Sequence, residues 1–385
     1  MFFLRHILDI KPLDRQPLGA DGTLDPRGSK TQIPLGRVSW HNYAVLLFRI
    51  IRAYKNYLVN NSMPHAKILI QRFIEIIHSG REIEAILVHR FQIPKRTSRR
   101  ITKILRIARS PVQYLTRLFA AQLCKPATLY IPNSTGFLIT DSANFSHAPK
   151  VLTTCSTIAK ERVNESSSSS SAPKPFLRNL LNQNDLSDYP ELLRFALDES
   201  LISLVAKYFG TIPILADIAL YRSSPSLSTT SSQMFHFDQE DYRTVQLFML
   251  VEDVYPENGP LTFFDADESQ QIKKKLVYNY TRISDHEIKK IHPISSAHIL
   301  TGERGTIGLV DAVRCCHMGS RVKSGYRLTF LLHYVPYHSI KEPYSNNLEM
   351  WLSQKHYRFM DLPKNRIYLL DRPSKTLVRR PPRNI

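Results

Sequence analysis

Apolar residues recur along the chain in two rhythms, and the change between them divides it. From Ser39 to about Cys124 the spacing is helical. In SWHNYAVLLFRIIRAYKNYLV, Val45, Phe48, Ile51 and Leu58 recur at helix-like intervals. A second helical stretch, AKILIQRFIEIIHSGREIEAILVHRF, is interrupted at Ser79-Gly80. A third puts Ile101, Ile104, Leu105 and Ala108 on one face and Lys103, Arg106 and Arg109 outside it, until Pro111 interrupts it. The stretch YPELLRFALDESLISLVAKYFG predicts one more helix. It closes at Gly210, the residue type that best accepts a left-handed helix end. From Ile212 the rhythm becomes that of strands: ILADIALY, QMFHFD, VQLFMLVEDV, LTFF, GTIGLVDAV and YRLTFLLHYV. Turn residues such as Glu257-Asn258-Gly259-Pro260 separate them. Short strands punctuated by turns predict a sandwich, jelly roll or barrel.

Two stretches fit neither rhythm. Residues 12–36 are rich in Pro and Gly and read as an extended lead-in. Residues 141–175 hold six consecutive serines, Ser166 to Ser171, followed by Ala-Pro-Lys-Pro. Serine-rich chain buries too little apolar area to offset its ordering entropy, so this stretch reads as a linker or loop. The expected organisation is a basic, mainly helical region over 1–140, the serine-rich linker over 141–175, a strand-rich core over 176–340 and a basic extension over 341–385.

Charge sharpens that division. The net charge is +19, and residues 85–140 carry ten Lys or Arg and no acid. Residues 364–385 add seven basic residues against Asp371, whereas residues 231–311 hold thirteen acids and eight bases. The positive excess thus belongs to the flanks and favours an anionic partner there, either a membrane surface or, with less support, nucleic acid. Four cysteines without metal-ligand spacing argue against a disulfide scaffold and for a reducing, cytoplasmic setting. No secretory leader or membrane span is expected, because the most apolar run, YAVLLFRIIRAY, contains Arg49 and Arg52.

Candidate chemistry lies in the strand-rich part. His236-Phe237-Asp238 falls in a strand-like run, where residues two apart share a face, so an imidazole and a carboxylate stand side by side. H-x-D alone is common by chance. His317 follows the run GTIGLVDAV, and Arg327 stands ten residues later on the apolar run YRLTFLLHYV. Alternation puts Arg327, Thr329 and Leu331 on one face. A buried cation there needs a carboxylate, and a ligand could provide one, with the Thr329 hydroxyl adding a hydrogen bond. Two histidines and one carboxylate on a β scaffold form the facial set that leaves positions open on non-haem iron. Gln233 and Tyr242 flank the H-x-D as candidate pocket residues, while Cys315, Cys316, His286, His292, His298, His333 and His338 read as packed or exposed.

With these residues in view, the chain resembles the phytanoyl-CoA dioxygenase-like branch of the Fe(II)/2-oxoglutarate dioxygenases over about residues 185–336. The resemblance rests on YFGTIPIL, QMFHFDQEDYRTVQLFMLVEDV, NGPLTFF and DAVRCCHMGSRVKSGYRLTFLLHY. It implies an α+β protein with a double-stranded β-helix core, of the jelly-roll or cupin-like kind, after a helical N-terminal region. It implies Fe(II) held by His236, Asp238 and His317, and 2-oxoglutarate held by Arg327 and Thr329. The reaction implied uses O2 and oxidises a C–H bond of a small-molecule or lipid-like substrate, releasing succinate and CO2. Asp238 favours hydroxylation over halogenation, since related halogenases lack that carboxylate. One departure is clear: N-G-P-L is followed by FFDADESQQ and not by the family's P-G-S-H-type loop, which leaves the substrate open. Two other readings stay open, a non-catalytic jelly roll that binds an anionic partner through its flanks, and a nucleic-acid demethylase. The demethylases usually carry a second Arg six residues after the first, where this chain has His333.

Overall fold

The computed structural model describes residues 95–109, 111–162, 174–182, 184–226, 229–238, 242–276 and 282–339, with Glu84, Leu87, Val88, Leu348, Leu352 and Leu370. The lead-in over 12–36, the first two helical stretches apart from those three residues, and the serine run lie outside the described residues.

The strand rhythm resolves into two antiparallel sheets. The strands of the larger are β1 (Phe137–Asp141), β2 (Leu177–Asn179), β3 (Pro213–Ser223), β4 (Val245–Leu250), β7 (Thr306–Val310) and β9 (Arg327–Pro336), in the order β1-β7-β4-β9-β3-β2. The smaller contains β5 (Leu261–Phe263), β6 (His298–Leu300) and β8 (His317–Met318), in the order β6-β5-β8. Single bridges, His236 to His317 and Phe235 to Ile283, extend this smaller sheet.

Alternation decides what each face carries. On β9, Leu328, Phe330, Leu332 and Tyr334 join a cluster with Val245, Leu247 and Met249 of β4 and with buried helix residues. The opposite face of β4 turns Phe248 and Leu250 towards Leu261 and Phe263 of the smaller sheet, joining the two sheets through an apolar layer. This is the jelly-roll sandwich expected: an antiparallel, sheet-rich core in a mixed α+β protein.

Among the helices that bury residues in the main cluster are α3 (Ala148–Arg162), α5 (Pro190–Ala196) and α6 (Glu199–Phe209). Here the structure corrects the sequence reading at several points. Residues 148–162 were expected to be linker but form α3, because Val151, Leu152, Cys155 and Ile158 bury one stripe in the main cluster. The boundary at residue 140 fails as well, since β1 pairs with β7 from Phe137 to Asp141. Leu348 and Leu370, in the supposed extension, are buried in that same cluster. The stretch read as one helix is two, α5 and α6, and the four-residue α4 (Asp185–Asp188) precedes it. Asp198 stops the chain between α5 and α6 by accepting the Ser200 and Leu201 N–H groups, an N-cap in mid-pattern. The expected end at Gly210, left-handed at φ 72°, is observed.

In the basic region, α1 (Lys95–Arg109) is followed by α2 (Pro111–Gln122), so Pro111 opens a helix as well as interrupting one. The face of α1 that is buried is not the apolar one: Ser98, Arg99 and Thr102 are buried, whereas Ile104 is exposed. Glu84 explains this inversion, because Arg99 donates to its carboxylate at 3.1 Å and Ser98 to its carbonyl at 3.3 Å. No helix among the described residues is long and apolar enough to cross a membrane.

Candidate metal and co-substrate site

His236 and His317 face each other across the edge of the smaller sheet. Each donates its backbone N–H to the other's carbonyl at 2.9 Å, and the ring centroids are 4.2 Å apart. Their outer ring nitrogens are tied down. His236 Nδ1 lies 2.8 Å from the Met234 carbonyl and His317 Nδ1 lies 3.0 Å from the Cys315 carbonyl. A carbonyl only accepts, so each Nδ1 carries the proton and each Nε2 presents a lone pair. Burial, then His317 and Arg282, push His236 down to about 2, keeping it the neutral imidazole a metal requires.

Asp238 completes the set. Its backbone N–H donates to the Ala312 carbonyl at 2.9 Å, and Gln246 Nε2 donates to Oδ2 at 2.6 Å. Oδ1 then lies 3.8 Å from His236 Nε2 and 3.9 Å from His317 Nε2. These separations are too long for hydrogen bonds and suit ligands that share a cation. The three donors lie within 4.8 Å of one another. The structure thus places together the three residues that the sequence singled out.

The segment that delivers His317 is fastened by Asp311. This buried carboxylate accepts Tyr208 Oη on Oδ2 at 2.8 Å, and the Thr244, Val313 and Arg314 N–H groups on Oδ1 at 3.2 Å. Burial pushes Asp311 up to about 6 despite those donors. Arg314 in turn donates to Tyr208 Oη at 2.9 Å and to the Asn133 carbonyl at 2.7 Å. Gln246 and Asp311 were missed from sequence. Gln246 had a signal, since it is the polar member of the β4 face that continues with Phe248 and Leu250. Asp311 had none, because the contacts that tie it to the rest of the fold, from Tyr208 and Thr244, are distant along the chain.

Arg327 opens β9 on the sandwich side of the larger sheet, with Thr329 two residues on. Its Nη1 donates to the Gly259 carbonyl at 2.6 Å, and its Nη2 to Ser320 Oγ at 3.0 Å and Ser223 Oγ at 3.4 Å. Its Nε and the Thr329 hydroxyl are buried without a hydrogen-bond partner. No carboxylate pairs with Arg327 among the described residues, and burial alone pulls it down to about 10. Arg321 and Arg314 are otherwise engaged, Arg321 by both oxygens of Asp285 at 2.7 and 2.8 Å.

The guanidinium lies next to the segment that carries His317. Gly319 follows His317 by two residues, and a Cβ there would lie 3.6 Å from both Nη atoms. Gly259, whose carbonyl holds Nη1, has φ 66° and would place a Cβ 2.5 Å from the backbone of Arg321 and Val322, so only glycine serves. Arg327 thus donates to three neutral acceptors yet lacks a counter-charge among the described residues. With the Thr329 hydroxyl orphaned beside it, it is suited to the far carboxylate of a keto acid whose other end binds a metal at the triad.

The remaining candidates serve structure. Gln233 donates to the Ser320 carbonyl at 2.9 Å and so supports the Arg327 loop instead of lining a pocket. Tyr242 lies under Lys103 of α1. Cys315 and Cys316 are buried in apolar clusters, as expected of packed thiols. His298, read as lacking metal spacing, does come within ligand range of Asp265 and Glu268. Asp265, however, caps α7 (Ala266–Lys275), and Glu268 is bonded to His292 at 3.1 Å.

No family model and no curated protein matches the chain. Among solved structures, HygX from Streptomyces hygroscopicus, crystallised with nickel and 2-oxoglutarate bound, is 16% identical with a TM-score of 0.39, over 55% of this chain and 88% of that one. AviO1 from Streptomyces viridochromogenes Tue57 is 17% identical with a TM-score of 0.36, over 57% and 94%. SnoK, a non-haem 2-oxoglutarate-dependent carbocyclase from nogalamycin biosynthesis, is 11% identical with a TM-score of 0.40, over 58% and 88%. At these values the functional reading rests on the chain's own residues.

Proposed function

We propose that the protein is an Fe(II)- and 2-oxoglutarate-dependent dioxygenase of the phytanoyl-CoA dioxygenase-like kind. In this reading it hydroxylates a C–H bond of a small-molecule or lipid-like substrate. The observation that carries the proposal is the pairing of a three-donor metal set with a buried cation that lacks a carboxylate. Either alone has a purely structural explanation. Together on the sandwich interior they fit a metal and a bidentate keto acid with a distal carboxylate.

His236 Nε2, Asp238 Oδ1 and His317 Nε2 would hold the iron, and Arg327 and Thr329 would hold 2-oxoglutarate. When bound, the iron and co-substrate supply oxidation by O2, one oxygen atom entering succinate as CO2 leaves and the other entering the substrate. The protein's share is orientation. The two carbonyls fix the imidazole tautomers, and Gln246 fixes the carboxylate rotamer. Arg327 sets the direction of the co-substrate, and the apolar layer between the sheets restricts water. Because Asp238 occupies the third ligand position, no place is reserved there for a halide, which supports hydroxylation over halogenation.

The test is anaerobic reconstitution with Fe(II) and 2-oxoglutarate, followed by O2 and a succinate assay against fractionated metabolite extracts. Succinate from the wild type and none from His236→Ala is the expected result. Failure of the wild type to bind iron would leave a non-catalytic jelly roll, and turnover that survives His236→Ala would overturn the metal-ligand assignment.

A further inference from the structure

Two cations that the chemistry above does not use stand beside the triad. The Ile283 N–H donates to the Phe235 carbonyl at 2.8 Å, and the two residues form an antiparallel bridge. In that register Arg282 is placed opposite His236, on the strand bordering the metal ligand. Lys174 approaches from the other sheet. Its carbonyl accepts the Leu177 N–H as β2 begins, and the neighbouring Phe176 carbonyl accepts Ser224 N–H just beyond the end of β3. That is the end of the sheet where Ser223 meets Arg327. Lys174 is half-buried and Arg282 is exposed. The two act on each other and on His236, and Lys174 also acts on Asp238.

Neither cation has a carboxylate within ion-pair distance among the described residues, although other basic side chains near the core do. Arg321 is clamped by Asp285, and Arg162 by Asp185 at 2.6 Å. Two like charges that act on each other, one of them half-buried, cost free energy that an arriving anion would recover. Charge balance indicates which anion is missing. Asp238, a divalent metal, the 2-oxoglutarate dianion and Arg327 already balance one another. Lys174 and Arg282 are therefore surplus to the co-substrate.

We infer that Lys174 and Arg282 form a binding site for an anionic group of the substrate, a phosphate or a carboxylate, at the mouth of the metal site. The inference rests on the dioxygenase reading for the word substrate, and it narrows that substrate to one with a negatively charged end held away from the C–H bond that reacts. Binding is led by charge, so it weakens with salt, and the two cations provide specificity that the buried Arg327 does not.

The experiment is an anion titration of the full-length protein loaded anaerobically with Fe(II) and 2-oxoglutarate. The visible charge-transfer band of that complex reports assembly of the metal site. Inorganic pyrophosphate and tricarballylate are the two probes, separating phosphate-bearing from polycarboxylate substrates, and calorimetry gives their affinities. One probe is expected to bind and to perturb the band, with affinity that falls as salt rises. Lys174→Glu and Arg282→Glu are each expected to weaken it at least tenfold while the band still forms. Lys274→Glu, on the exposed side of α7, controls for net charge and is expected to leave binding unchanged. A normal band with no binding of either probe, or binding equal in all variants, overturns the anion site. A band that never forms counts against the dioxygenase reading instead, and calorimetry then still decides whether the cation pair binds anions.

Discussion

Asp238 shows how much a single side chain depends on its neighbours. Its Oδ2 is held by Gln246 at 2.6 Å, and only then does Oδ1 face both imidazoles. Gln246→Leu keeps the shape of the β4 face but removes that hold on the carboxylate. The expected effect is a loss of metal affinity of about 10- to 100-fold, measured by competition with a chelator, with the fold intact by circular dichroism. Arg327→Ala should act on the other substrate. Losing a buried bidentate partner typically costs several kcal/mol, so the 2-oxoglutarate requirement should rise by about two orders of magnitude, with iron affinity unchanged. Equal response of both quantities would mean that Arg327 supports the fold and not the co-substrate. These residues differ in how far the sequence exposed them. His236, Asp238, His317 and Arg327 were legible because each is chemically out of place on an apolar strand. Gln246 was half legible from strand alternation. Asp311 was not, because the donors that tie it to the rest of the fold, Tyr208 and Thr244, lie far off along the chain.

At the scale of elements, strands were read better than helices. Their alternation is imposed by two buried layers that both leave a period of two, whereas a helix boundary can depend on one side chain. Asp198 is that side chain between α5 and α6, and removing its cap, Asp198→Ala, is expected to lower stability by about 1 kcal/mol in a denaturant melt. The serine run misled the reading of α3, since the buried stripe of that helix ends just before the run begins. Helix α1 was misread for a different reason: Glu84 draws its polar edge inwards. One consequence can be measured as a function of pH. His338 is buried at the end of β9, edge-on to Tyr114 at 5.8 Å, and burial followed by Lys103 and Arg106 pushes it from 6.5 down to about 3. Between those values the unfolded chain binds a proton that the folded one refuses, so stability falls as pH drops through that window. His338→Gln is expected to remove part of this acid loss between pH 6.5 and 3, while changing little at pH 8. Parallel curves for the two proteins across the window would refute the assignment.

At the scale of the molecule, the acid-free basic region and the sandwich meet at α2. Arg117 is the buried residue of that helix, donating to the Pro213 carbonyl at 3.0 Å and lying over the Tyr337 ring at 4.7 Å. This anchor leaves Val112, Leu115, Phe119 and, just past the helix end, Leu123 on the outside, exposed by 74%, 47%, 63% and 85%. Their spacing of three and four residues makes one continuous apolar stripe. The sequence placed the amphipathic basic surface on α1, and the structure moves its exposed apolar part to α2. Ten cations and no acid over residues 85–140 favour an anionic bilayer as what covers the stripe, because apolar burial and headgroup attraction then add. The protein is expected to co-sediment with vesicles containing phosphatidylserine and not with neutral ones, and to be released as salt rises. Leu115→Glu with Phe119→Glu should abolish sedimentation while leaving the charge-transfer band of the metal site unchanged, since both side chains point away from the sandwich. Failure to sediment even at low salt would remove the membrane from the partners of this surface.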